Sequence, residues 1–444
     1  MTQPSSQSPA GHSTLWCEYA WLPDGVAESV RIEIDGDRIV SVEADLPRAG
    51  TILNGLTMPG AANGHSHAFH RALRGRTHGD QGTFWTWRER MYDIAERLDP
   101  DSYYRLARAV YAEMVLAGYT GVGEFHYLHH APGGTRYDDP NAMSAALVRA
   151  AADAGIRLTL LDTCYLTGGF GTELDERQLR FGDGDAHAWA ERVEAFVPET
   201  GYVRVGAAVH SVRAVPADQL PVVAEWADGR PLHVHLSEQR AENAQCLAQH
   251  GRTPTTLLAE AGVLGEHTVA VHATHLTGDD IGQLGRSGTR SCLCPTTERD
   301  LGDGIGPARG LSDAGSRLCL GSDSHAVIDP FEEARALELD ERLADERRGR
   351  FAVNELMAAA TDHGAIGWPE AGRIAKGAAA DLVTVDLGSV RTAGTAPEGA
   401  LFAATSSDVR DVLVAGRWVV RDRAHQFIRH PESVLAREIG ELWQ

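Results

Sequence analysis

The stretch Thr57-Met58-Pro59-Gly60-Ala61-Ala62-Asn63-Gly64 runs directly into His65-Ser66-His67. It is a mostly apolar run of strand length that ends in two histidines separated by one residue. In extended chain, residues i and i+2 point to the same side, so both imidazoles can converge on one ion. Taken alone, such a pair is as readily two core histidines as two ligands. The reading depends on whether the pattern recurs.

It does recur. Runs of the same kind lie at Tyr119–Phe125, Arg157–Asp162, Val203–His210, Pro231–Leu236, Thr268–Ala273, Thr289–Cys294 and Arg317–Ser322. Most are near-continuously apolar, as parallel strands covered on both faces must be. Helical periodicity fills several gaps, at Tyr103–Leu116, Met143–Ala154 and Phe331–Leu343. With Thr57–Gly64 this makes eight β/α repeats. They predict an α/β fold, a (β/α)8 TIM-type barrel over residues 58–365 with its active site at the C-terminal strand ends. Outside the barrel the pattern alternates with period two. Ser29–Ile34 and Arg38–Val42 flank Asp35-Gly36-Asp37, a hairpin signal, and β-type segments return at Ala380–Val385, Val409–Val414 and Arg417–Val420. Residues 14–57 and 366–425 are therefore expected to pair into one small β-sandwich domain, after a disordered tail (1–13) and before a C-terminal helical segment (426–444).

Composition limits the partners. The chain has 444 residues, 43% hydrophobic, with 62 acidic against 41 basic side chains and a formal charge of −21. Nucleic acid and anionic membrane would be repelled at long range. An acidic small-molecule substrate needs cations placed inside its pocket. Lys376 is the single lysine, so 40 of the 41 basic residues (41 − 1) are arginine. The six cysteines are scattered and form no C-x-x-C pair, as in a reduced cytoplasmic protein. The polar stretch Met1–Ser13 is expected to be a tail and not a secretion signal, and no apolar run reaches the roughly 18 residues of a spanning helix.

The metal-type residues fall on the strand ends. His65 and His67 follow the first run, His235 ends the fifth, His272 ends the sixth, and Asp323 follows the eighth in Gly321-Ser322-Asp323-Ser324-His325. A lone histidine is usually a satisfied core residue, but all five groups map to one rim. His233 forms a second H-x-H with His235 and is a rival ligand. The spacing His235-Leu236-Ser237-Glu238 favours His235, although Glu238 also reads as an exposed helix-start carboxylate capped by Ser237.

An H-x-H after strand one, histidines after strands five and six and an aspartate after strand eight resemble the amidohydrolase superfamily, over about residues 14–425. Binuclear members bridge two metals with a carboxylated lysine after strand four. Val203–Ala214 contains no lysine; a bridge through another carboxylate stays open, and the simpler reading is one divalent metal held by His65, His67, His235 and Asp323, with a water completing the shell. Zinc is the default, and iron or manganese suits the same ligands. It further implies that His272 positions and polarises a metal-activated water, that Asp323 takes a proton from it, and that Glu238 is the proton shuttle.

The segments 63–69, 83–89, 124–130 (Glu-Phe-His-Tyr-Leu-His-His), 210–215, 271–275 and 301–305 together resemble the branch of that superfamily that deaminates N-formimino-L-glutamate in histidine degradation. That resemblance assigns Arg88, Tyr127, His210 and Arg213 to substrate binding. Arginine offers a planar fork for a carboxylate; Arg88 is otherwise a surface partner of Glu89. Trp85 and Trp87 are more often packing residues and are left out of the site. His70 stands where that branch has a glutamine, and it can still hydrogen-bond a carboxylate. Arg299-Asp300 stands where a loop of small or amide residues is expected. The alternatives are a deaminase or chlorohydrolase of a heterocycle (guanine, cytosine or triazine type) and a non-catalytic barrel, which would be expected to have lost ligands or shuttles. Related barrels are often dimers, so a homodimer is compatible with the sequence, and no segment marks an interface.

Overall fold

The computed structural model describes residues 11–77, 84–198 and 201–444. Most of the expected tail therefore lies outside the described residues. The first strands are β1 (Ser13–Leu22), β2 (Gly25–Asp35), β3 (Arg38–Glu43) and β4 (Thr51–Pro59). Asp35 pairs with Arg38 across a two-residue turn in which Gly36 takes φ +59°, as hairpin turns require.

The barrel strands follow: β5 (Ala61–Ser66), β6 (Tyr119–His126), β7 (Arg157–Cys164), β8 (Val203–Val209), β9 (Leu232–Leu236), β10 (Thr268–His272), β11 (Arg290–Leu293) and β12 (Leu318–Leu320). They form one sheet in sequential order, and each neighbouring pair is parallel. This is the expected barrel, with one correction. The run Thr57–Gly64 is two strands in different sheets. Pro59 ends β4, and Gly60 sits where a Cβ would come within 2.2–2.7 Å of the Thr120 side chain. The chain turns from one sheet into the other at this pair.

The chain then returns to the first sheet through β13 (Leu382–Val385), β14 (Val409–Val414), β15 (Arg417–Arg421) and β16 (Ala424–His425), in the order β16-β15-β14-β13-β4-β1-β2-β3. Both chain ends thus build one sheet, and Arg38 bridges back to Ala379. Leu15, Val30, Ile32, Ile39, Leu382 and Leu413 pack inside it.

Helices Pro100–Ala117, Ala142–Ala154 and Pro330–Asp345 cover the barrel. The first starts at an Asp99–Ser102 capping box and ends at Gly118 (φ +104°), which lets β6 begin at the next residue. The six cysteines are buried and unpaired. Among the described residues no helix is long and apolar enough to cross a membrane.

Barrel closure is local. Ser66 and Asp323 form a single bridge, in which Asp323 N–H donates to His65 O at 3.0 Å and His67 N–H donates to Asp323 O at 3.2 Å. At Gly321 a Cβ would meet His65 Cβ, N and O at 2.8–2.9 Å, so only glycine allows this approach. The variant Gly321→Ala is expected to lose about 1–3 kcal/mol in urea unfolding, the usual cost of overpacking.

A buried ion network fixes the wall formed by residues 178–183. Arg192 binds Asp162 (2.8 and 3.0 Å) and Asp183 (2.9 and 3.0 Å), and His130 binds Asp183 at 3.0 Å. Burial alone would raise both carboxyls, but Arg192 and the neighbouring histidines hold them below the ordinary aspartate value. Their stabilising effect is therefore complete above the unfolded-chain pKa of about 3.9 and falls away as pH drops below it. Acid titration followed by tryptophan fluorescence should show unfolding at a higher pH in Arg192→Met than in wild type.

Candidate active site

Each donor at the barrel mouth owes its position to a strand end. His65 lies inside β5 and His67 just beyond it, with φ −125° and ψ 93°. The β-type backbone keeps both rings on one side. His235 belongs to β9, and Asp323 follows β12 with φ +40°, a region that aspartate enters more readily than most residues. All four are buried. His65 Nε2 lies 3.1 Å from His235 Nε2 and 3.3 Å from Asp323 Oδ1, while His67 Nε2 lies 3.4 Å from that same oxygen.

Backbone carbonyls set the tautomers. His67 Nδ1–H donates to Phe125 O at 2.9 Å, and His235 Nδ1–H donates to His210 O at 2.9 Å. Both rings therefore turn an Nε2 lone pair inward. Burial pushes His65 down to about 3 and lowers His67 and His235 as well, which favours neutral imidazoles. Burial would raise Asp323, yet His65, His272 and His67 hold it far below the ordinary range. Inward lone pairs beside a carboxylate repel one another unless a cation lies among them, and among the described residues His65 Nδ1 has no partner. This N/N/N/O set suits a divalent ion of the zinc type. Lys376 is exposed and comes after the last barrel strand in the chain.

Next to this cluster stand an imidazole and several carboxylates. His272 Nε2 is 3.9 Å from Glu238 Oε1 and 3.9 Å from Asp323 Oδ2, and its Nδ1 is 3.3 Å from Glu298 Oε1. Burial would lower His272, but Glu238 and the other acids raise it to about 10. Burial and the neighbouring acids raise Glu238, and burial with Glu238 close by takes Asp303 up to about 8. Glu238 is not an exposed helix start. It is buried, Gln239 precedes the helix Arg240–His250 without a side-chain cap, and Ser237 N–H donates to Glu242.

A cavity of about 70 Å³ opens on these groups. Arg88, Tyr127, His210, Arg213 and His70 all line it. Tyr127 OH and His70 Nε2 are 2.9 Å apart, and His210 lies against Ser211 Oγ at 3.2 Å. Arg88 Nε donates to Tyr92 OH at 2.7 Å, and Arg213 Nε donates to Glu242 Oε2 at 2.7 Å. Glu89 is paired with Arg177 instead of Arg88.

Trp87 packs against the core, as expected, and also borders the cavity, its ring 5.1 Å from that of His70 and perpendicular to it. The side chain of Trp85 lies outside the described residues. Residues 296–300 are helical (Pro295–Leu301), and Arg299 pairs at the surface with Glu332 and Asp340. Tyr92 and Tyr165 were missed although both line the cavity, joined by Gln178 Nε2 at 3.0 and 3.2 Å. Their signals were present: Tyr92 is four residues beyond Arg88 on one helix face, and Tyr165 follows the end of β7. Glu298 gave no such signal.

A parallel barrel whose rim gathers histidines and carboxylates around a small cavity defines a barrel hydrolase. The chain belongs to the amidohydrolase family, which it matches over residues 56–419. It is 39% identical to a formimidoylglutamate deiminase of Pseudomonas aeruginosa, over 97% of this chain and 99% of that one. It is 28% identical to a 5-methylthioadenosine/S-adenosylhomocysteine deaminase of Pelotomaculum thermopropionicum, with 90% of each covered. An amidohydrolase structure from Brucella melitensis superimposes with TM-score 0.89 at 33% identity, covering 97% of this chain and all (100%) of that one.

The two histidines of β9 should behave oppositely. His233 Nε2–H donates to Ala365 O at 3.0 Å, away from the mouth. Metal analysis should find His233→Asn as metal-rich as wild type, at a stability cost of about 1–3 kcal/mol, whereas His235→Asn should lose most of its metal.

Proposed function

We propose that the chain hydrolyses N-formimino-L-glutamate to N-formyl-L-glutamate and ammonia. The observation that carries this reading is the pair of arginines, Arg88 and Arg213, lining one cavity with Glu238, His272 and Asp323. A dianion entering a protein of charge −21 needs local cations. Here the Nε of each guanidinium is already held, by Tyr92 and by Glu242, so little side-chain entropy is lost on binding. The 39% identical relative bears the name of this activity.

One divalent ion, with zinc as the preferred identity, is assigned to His65, His67, His235 and Asp323; when bound it lowers the pKa of water toward neutrality and supplies a nucleophile. The remaining work falls to the side chains. Arg88 and Arg213 bind the two carboxylates, while Tyr127, His210 and His70 shape the wall between them and the formimino carbon. His272 Nε2 orients the attacking oxygen. Asp323 Oδ2 accepts a proton from it, and Glu238 delivers a proton to the departing nitrogen. The C–N bond then breaks, ammonia leaves and the carbon remains as a formamide, with water supplying the oxygen and both protons.

Trp87, Tyr92, Tyr127 and Tyr165 also give the cavity aromatic walls, which favour a ring substrate as the second reading. Ammonia release from N-formimino-L-glutamate, guanine, cytosine and a chlorotriazine separates the two. Turnover of the formimino compound alone is expected, with KM raised about 10–100-fold in Arg213→Met and Arg88→Met as a charged hydrogen bond is lost, and kcat lowered about 100-fold or more in Glu238→Gln. No release from the formimino compound by metal-replete protein would discard the first reading.

A further inference from the structure

We propose that Glu298 is a positioning residue for His272: its carboxylate holds the ring by Nδ1, so that Nε2 alone addresses the space between Glu238 and Asp323. The proposal deepens the reading above and rests on it for the role of His272.

Glu298 lies on the helix that follows β11, and its Oε1 accepts from Cys294 N–H at 2.9 Å as well as facing His272 Nδ1 at 3.3 Å. Capping its own helix does not account for its placement. A residue that serves only as a cap is free to remain in water, whereas Glu298 is buried in a pocket already crowded with Glu238, Asp303 and Asp323. Placing a further carboxylate there costs free energy unless donors meet it; beside the backbone N–H of Cys294, the side chain that meets it is His272.

The histidine itself needs the restraint. His272 has φ +68° and Ala273 φ +51°, both left-handed and both non-glycine. An imidazole at such a bend can present either ring nitrogen after a flip about its terminal torsion, which is broad and nearly two-fold. Only one orientation serves the site. Its Nε2 is 3.9 Å from both Glu238 and Asp323, and the ring stacks on His235 at 5.6 Å and 14°.

The helix that bears Glu298 is itself tied to the segment that bears Asp323. Thr297 Oγ1 accepts from Ser324 N–H at 3.2 Å and pairs with Ser324 Oγ at 3.1 Å, and Thr296 N–H donates to Glu333 Oε2 at 3.1 Å. Glu298, His272 and Asp323 therefore share one frame.

The test compares Glu298→Ala, Glu298→Gln, His272→Asn and the double variant Glu298→Ala/His272→Asn in the full metal-loaded chain. Glu298→Ala should lower kcat about 10–100-fold, the usual effect of removing an orienting partner. KM, metal content and melting temperature should hardly move. Glu298→Gln, whose amide oxygen still accepts from Nδ1, should recover most of the rate. In the His272→Asn background, Glu298→Ala should cost nothing further, because the two residues act as a unit. Equal losses in both backgrounds, or a loss confined to KM, would overturn the proposal.

A second readout needs no turnover. In ¹⁵N-histidine NMR the His272 ring, identified by its absence in His272→Asn, should show a protonated, hydrogen-bonded Nδ1 and change its pattern in Glu298→Ala. An unchanged pattern would refute the positioning role. If the wild type does not turn over the formimino compound, that assay rejects the proposed substrate while the ring spectrum still judges Glu298.

Discussion

Two backbone hydrogen bonds hold the active site together. Asp323 N–H reaches His65 O, and His67 N–H reaches Asp323 O. They close the barrel where its last strand, β12, is only three residues long. They also bring the carboxylate from one end of the sheet against the histidines from the other. The absence of a side chain at Gly321 permits the approach, and Glu124 secures it from outside by accepting from Ser66 Oγ at 2.7 Å and Ala68 N–H at 2.6 Å, on either side of His67. Folding and site assembly are thus one event: a chain that fails to close here has no site.

The parts of this arrangement that the sequence revealed are those that depend on local pattern. Buried parallel strands must be apolar along their length, so seven of the runs located their strands to within a few residues, and the histidines at their ends fell on one rim. The reading failed where a local pattern served two masters. Thr57–Gly64 looks like one apolar run, and only its packing against Thr120 shows why it breaks at Gly60. Residues 296–300 carry polar side chains of the kind found in loops, yet Pro295 at the first turn and Glu298 bonding back to Cys294 make them helical. Trp87 packs against the core, as tryptophan commonly does, and also borders the cavity. Glu298 gives no sequence signal because its partner lies 26 residues earlier, at the end of a strand, while Glu298 sits on a helix.

The cavity carries charge of both signs. Glu238, Asp323 and His272 line it together with Arg88 and Arg213, and each guanidinium is held at Nε, by Tyr92 and by Glu242. The acids of the pocket lie close enough to act on Arg213, and Arg213 in turn counters the rise that burial gives Glu238.

The near absence of lysine has an effect on the whole molecule. Every described ion pair has arginine or histidine as its cation, and a guanidinium does not lose its proton at any pH the protein will meet. An ordinary protein loses ion pairs at both ends of the pH scale, through its carboxylates in acid and its ammonium groups in base. Here the arginine pairs have no alkaline limb. Their tolerance of pH is lopsided, open toward base and bounded toward acid by the carboxylates alone.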